Sequence, residues 1–261
     1  ITHLGYEVGN VPAVAHAPKP VAGVAPRPLT AEKTHRTIVF LVDNLGLSFA
    51  NTAFVRDALK KFVREQMVPG DLMAVMQTSG GTGAFQQFTN DPRVLNAAID
   101  RIRWSLQARA GVSSQLVAGG LDGEVGSVRL RDQRARLGTM AALHYVADGL
   151  RRMPGRKAVI VFTDGLMFRP VLNSGVDVSP IEEEILRKMI DAANRAGVVI
   201  STVDARGLQT NFMQAADSMG AADVISGGGE LMNSRSNEMT RNWDGMIELA
   251  RTTGGLFYKN N

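Results

Sequence analysis

Three apolar runs in this chain each end in an aspartate, and that repeated device narrows the possible folds most. They are Thr37–Asp43 (TIVFLVD), Lys157–Asp164 (KAVIVFTD) and Gly197–Asp204 (GVVISTVD). An apolar run without alternation marks a strand covered on both faces, as in parallel sheets. Helical spacing fills the gaps between the runs. Phe54, Val55, Ala58, Leu59, Phe62 and Val63 recur on one helical face before Pro69 and Gly70 stop it. Met140, Leu143, Ala147 and Leu150 form a second such face. Ser179, Pro180 and Glu182 form a capping box for a helix reaching about Ala196. Strands alternating with helices imply an α/β, doubly wound, mostly parallel Rossmann-like sheet with helices on both faces.

The remaining elements fit that plan. Asp71–Thr78 reads as another strand, Gly80–Gly83 as a turn, and Ala84–Phe88 as one returning antiparallel edge strand. Asp91 and Pro92 open a helix, because a first-turn proline loses no hydrogen bond. A last helix is expected near Trp243–Arg251 and a short strand at Leu256–Tyr258. Two irregular insertions, near residues 105–137 and 207–240, interrupt a domain spanning 34–261. Residues 1–33 differ in kind: Pro12, Pro18, Pro20, Pro26 and Pro28 among Ala, Val and Gly favour an extended arm. From composition alone that arm is a flexible linker; if ordered, it must lie on its own domain or on a neighbouring subunit.

Composition removes several functions. The absence of cysteine excludes disulfides, thiolate nucleophiles and Cys-based zinc sites. No run approaches the roughly 18 apolar residues of a membrane span. No signal peptide opens the chain, whose first residue is Ile1, so an export signal could have been removed before it. The pI is about 9.6 but the net charge only +4, a weak attraction for anions. Arg129, Arg131, Arg134 and Arg136 cluster, as do Arg151, Arg152, Arg156 and Lys157. Asp132 breaks the first group and no aromatics are interleaved, so solvated helix faces explain them better than nucleic acid does. His3, His16, His35 and His144 lack metal-ligand spacing, and His144 reads as a partly buried structural residue. No nucleophile elbow, HExxH or phosphate loop is present, and the twelve methionines read as core filler.

In open α/β sheets ligands bind beyond the carboxyl ends of the strands, where strand order reverses. Asp43, Asp164 and Asp204 should emerge there. Neighbouring carboxylates repel unless a cation or base intervenes, which favours either a hard divalent ion or acids spent on capping loops.

The run ending at Asp43, Gly138-Thr139 opening a helix, and Phe162 to Gly165 (FTDG) stand in the order of the von Willebrand factor A fold, which they resemble. Asp43–Ser48 (DNLGLS), Pro154–Ala158 (PGRKA), Val203–Leu208 (VDARGL) and Thr253–Gly255 (TGG) are similar to a bacterial branch described as VWFA-related, abundant in Acidobacteria. The resemblance covers about residues 34–259. It implies a metal-ion-dependent adhesion site in which a DxSxS loop, a threonine and an aspartate hold Mg²⁺ for an acidic residue of a partner. Carried over, the ligands are Asp43, Thr139 and Asp164, but the two serines fall on Leu45 and Leu47. Leucine offers no oxygen, and Mg²⁺ demands near-octahedral oxygen ligation. The expected site is therefore degenerate, with no cofactor, or at most Mg²⁺.

The leading expectation is a non-enzymatic protein–protein interaction or assembly domain. The strand-end face with Asp43, Thr139, Asp164 and, as a further candidate, Asp204 would either meet a protein ligand or be a vestigial site kept for loop packing; the insertions at about 105–137 and 207–240 and the arm would be contact surfaces. Two alternatives stand beside it: a metal-dependent hydrolase or phosphatase using the strand-end acids, and a purely structural subunit with a dead metal site. Relatives in the resembled branch are generally exported, so a periplasmic, cell-surface or extracellular location is expected. Neither nucleic acid nor a membrane span is expected.

Overall fold

The computed structural model describes residues 35–80, 88–105, 122–166, 180–207 and 229–259. Five parallel strands run through these residues: β1 (Arg36–Val42), β2 (Asp71–Gln77), β3 (Arg156–Thr163), β4 (Val198–Asp204) and β5 (Phe257–Tyr258). Their order across the sheet is β2-β1-β3-β4-β5. The first connection leaves β1 to one side and the later ones proceed to the other, so the switch point falls between β1 and β3. Val42 pairs with Phe162 across that junction.

Among the described residues five α-helices cover the sheet: α1 (Phe49–Glu65), α2 (Pro92–Asp100), α3 (Asp122–Leu150), α4 (Pro180–Ala196) and α5 (Gly229–Thr252). Ser48 caps α1 by accepting from the Asn51 N–H, and Val55, Leu59 and Val63 turn inward at one-turn intervals. Asp91 caps α2 with Pro92 in its first turn. Helices α1 and α2 pack Val55, Leu59, Leu95 and Ile99 on Ile38, Phe40, Met73 and Val75. On the other face α3, α4 and α5 pack Met140, Leu143, Met189, Met246 and Leu249 on Val39, Leu41, Val159 and Val161. β1, between two strands and under both helix layers, is therefore buried throughout after Arg36.

Several expectations change. The described sheet is wholly parallel, and the antiparallel edge strand is not seen. Residues 84–87 lie outside the described set, and what remains is a single antiparallel bridge, Thr89 on Met73. The insertion at 105–137 is partly helix, since α3 begins at Asp122; Gly138 and Thr139 sit within it and do not open it. Likewise α5 begins at Gly229, well before Trp243. Glycine, serine and asparagine hid both helix starts, because such residues weaken helix propensity without preventing helix. His144 is exposed. The second basic cluster lies in the α3–β3 turn and the start of β3, where the Lys157 ammonium donates to the Arg151 and Ala196 carbonyls. The arm at 1–33 and Ser179 lie outside the described residues.

Candidate functional site

Strand register brings the acids together. The Asp43 N–H donates to the Phe162 carbonyl (2.9 Å), and the Ala205 N–H to the Thr163 carbonyl (3.0 Å). Asp43, Thr163-Asp164 and Asp204 thus follow one another along the carboxyl rim of three adjacent strands.

Each acid is engaged by the protein itself. Asp43 is 1% exposed. Its Oδ1 accepts from the hydroxyls of Thr78 (2.9 Å) and Thr139 (2.8 Å), and its Oδ2 from Thr163 (2.8 Å). These hydroxyls come from the turn just after β2, the middle of α3 and the end of β3, so four parts of the fold close on one carboxylate. Each hydroxyl has one proton and other acceptors nearby, but the carboxylate contact is the shortest each makes. A charged acceptor also makes the stronger bond.

Asp164 is only partly buried. Its Oδ2 accepts from the Ser48 N–H and its Oδ1 from the Asn51 carboxamide, both at 2.8 Å. Burial pushes its carboxyl above the usual range; these two donors and the Arg206 charge offset the rise only in part. Asp204 is 3% exposed. Arg206 grips it with Nε and Nη2, each at 2.9 Å, and the Trp243 indole N–H adds a bond of 2.6 Å. Arg206 and Lys259 also lie over the Trp243 ring, at 5.9 and 4.8 Å from its centroid.

The residues present do not fit a divalent ion. Leu47 is fully buried in the core beneath α1. Leu45 lies over α3 so closely that a Cβ on Gly138 would come within 2.9 Å of its Cδ1. The Ser48 hydroxyl faces its own helix as a cap. Asn44, a possible substitute, is spent on scaffolding: it accepts from the Ser79 N–H and donates to the Ser79 hydroxyl (2.6 Å) and the Arg103 carbonyl (2.9 Å). Octahedral ligation would need several oxygens from a loop that presents two leucines. Among the described residues no cluster of three His, Asp or Glu is placed to hold a metal.

The comparisons with known proteins add little. No protein-family model and no curated protein matches the sequence. Among solved structures, an aerotolerance-related membrane protein from Bacteroides fragilis NCTC 9343, carrying multiple mutations to serines, is similar. It has a TM-score of 0.40 at 12% identity, over 87% of this chain and 92% of that one. A likeness that weak carries no functional weight.

Sequence reasoning located Asp43, Thr139, Asp164 and Asp204 on one rim and left open whether they meet a ligand or pack loops. Asp43, Thr139 and Asp204 are too buried for a partner to touch. The donors Thr78 and Thr163 were missed, although Thr163 stands beside Asp164 in the run itself. Arg206, two residues after Asp204, was the readable sign that this acid is paired.

Proposed function

We propose that the chain is a non-enzymatic protein-interaction domain of von Willebrand factor A type whose metal site has become an internal clamp. The observation that carries this reading is the closing of three threonine hydroxyls on Asp43. A general base needs a free lone pair within reach of substrate, and a nucleophile needs access. Asp43 is buried out of reach of any substrate, and Asp204 is held by an arginine. Such a rim keeps its loops rigid and leaves recognition to the side chains around it. The proline-rich arm at 1–33 is a second contact element in this reading, and an exported location goes with it.

The test has two arms. Turnover of p-nitrophenyl phosphate with Mg²⁺ or Mn²⁺ is expected to stay at background. Metal-stimulated turnover lost in an Asp43→Ala, Asp164→Ala double variant would establish the hydrolase instead. Deleting residues 1–33 is expected to lower self-association or partner capture. Unchanged mass by light scattering together with unchanged capture would remove the arm from the proposal.

A further inference from the structure

The charge of this chain is segregated along the strand axis. The three rim acids stand at the carboxyl ends of β1, β3 and β4, whereas the amino end of the sheet gathers cations. Helices α3, α4 and α5 finish at that end, with Arg151, Arg152, Arg195 and Arg251 in or just beyond their last turns. Arg156 and Lys157 open β3 beside them, Arg156 in register with Arg36 of β1. Hydrogen bonds join these residues into one surface. The Lys157 ammonium donates to the Arg151 and Ala196 carbonyls, and the Arg156 N–H to the His35 carbonyl (3.1 Å). The Asn194 carboxamide reaches the Thr252 carbonyl (3.3 Å) at the end of α5.

Most of this charge has no internal use. A cation near a helix C-terminus offsets the negative pole there, and Lys157 serves two helices at once. The nearest acids are already held, Asp71 by Arg36 and Glu65 by Arg64. Arg151, Arg152, Arg156, Arg195 and Arg251 are all exposed, and none has an ion-pair partner among the described residues. A net charge of +4 therefore understates the potential at this end. Two apolar side chains flank the cations: Val68, before β2, is 47% exposed, and Val199, at the start of β4, 40%. No Phe, Tyr or Trp occurs in 151–157, 195–199 or 251–255, which leaves nothing to stack on bases. Guanidinium forks suit phosphate, and cations beside small apolar side chains suit the interface of a bilayer.

We infer that the amino end of this sheet docks on an anionic phospholipid surface. Such docking needs no spanning helix, and none of the described helices is long and apolar enough to span. It turns the carboxyl rim away from the bilayer, towards a protein partner.

The test is co-sedimentation of the full chain with large vesicles. Vesicles of equimolar phosphatidylglycerol and phosphatidylcholine are expected to bind it, those of phosphatidylcholine alone are not, and high salt should release it. At about fivefold in affinity per cation on an anionic bilayer, Arg152→Gln with Arg195→Gln should weaken binding about 25-fold. Arg101→Gln with Arg103→Gln removes the same charge beside the carboxyl rim, where these backbones meet Gln77 and Asn44. That pair should weaken binding less than about threefold, because it lies beyond the screening length from the bilayer. Should Arg195→Gln unsettle the end of α4, Arg152→Gln alone is expected to cost about fivefold. Equal losses in the two pairs would reduce the effect to net charge and overturn the proposal. So would no binding, binding indifferent to headgroup charge or salt, or capture of single-stranded RNA without capture of vesicles. Protein-partner capture and turnover are measured without lipid, so failure here leaves the interaction reading standing.

Discussion

At the scale of single residues, Asp43 is the group on which most depends. Asp43→Asn swaps one acceptor for a donor and leaves hydroxyls without their charged partner. It is expected to cost about 2–4 kcal/mol in urea unfolding. Thr163→Val should cost about 1–2 kcal/mol, and the double variant less than the sum, because both act on one bond. Asp164 behaves differently. Its folded-state pKa is raised above 3.8, so the folded protein holds that proton more tightly than the unfolded chain. Its contribution therefore favours the fold below the ordinary carboxylate range and is lost as pH rises through the raised value. Stability of the wild type relative to Asp164→Asn should accordingly fall across that interval and then level off. A flat difference in denaturant midpoints would contradict the burial argument. The convergence of Asp43 and Asp164 was legible because apolar runs of similar length end in acids, and parallel strands bring such ends together. The threonine clamp on Asp43 was not, since Thr78 and Thr139 belong to segments whose approach depends on tertiary packing.

At the scale of elements, the opposite end of the sheet is tied by Arg36 of β1 and Asp71 of β2. The Arg36 Nε lies 2.6 Å from Oδ1, and the Asp71 side chain is fully buried. Burial pushes the Asp71 carboxyl up, but hydrogen bonds from Arg36 and the Val68 N–H, with the charges of Arg36 and His35, bring it below 3.8. A depressed carboxylate stabilises the fold above its unfolded value, and that support disappears as pH falls through the folded value. Acid unfolding should therefore begin in this range, and Asp71→Asn should flatten the pH dependence while costing about 1–3 kcal/mol at neutral pH. Within α1, Leu59 is fully buried, and Leu59→Ala should cost about 2–5 kcal/mol. Phe54, assigned to the same inward face from sequence, is 46% exposed and should tolerate Ala within about 0.5 kcal/mol. Periodicity identified the helix but could not settle which of two adjacent apolar residues faces the sheet.

For the whole molecule, a clamp without a bound ion predicts indifference to metals. A ligand that binds the native state raises the melting temperature by mass action. Millimolar Mg²⁺, Mn²⁺ or EDTA is therefore expected to leave Tm unchanged by calorimetry, and a Mg²⁺-dependent rise abolished in Thr139→Val would reverse the reading of the rim. The clamp also sets a timetable for synthesis. Asp43 and Thr163 are 120 positions apart in the chain. At roughly 5–20 residues per second, a ribosome delivers the second about 6–24 seconds after the first. Until then β1 lacks the neighbour on its far side, and a carboxylate destined for the interior stays in water. Nascent chains halted before residue 163 should therefore be protease-sensitive and need a chaperone's shelter, whereas those released beyond β3 can close their central strand.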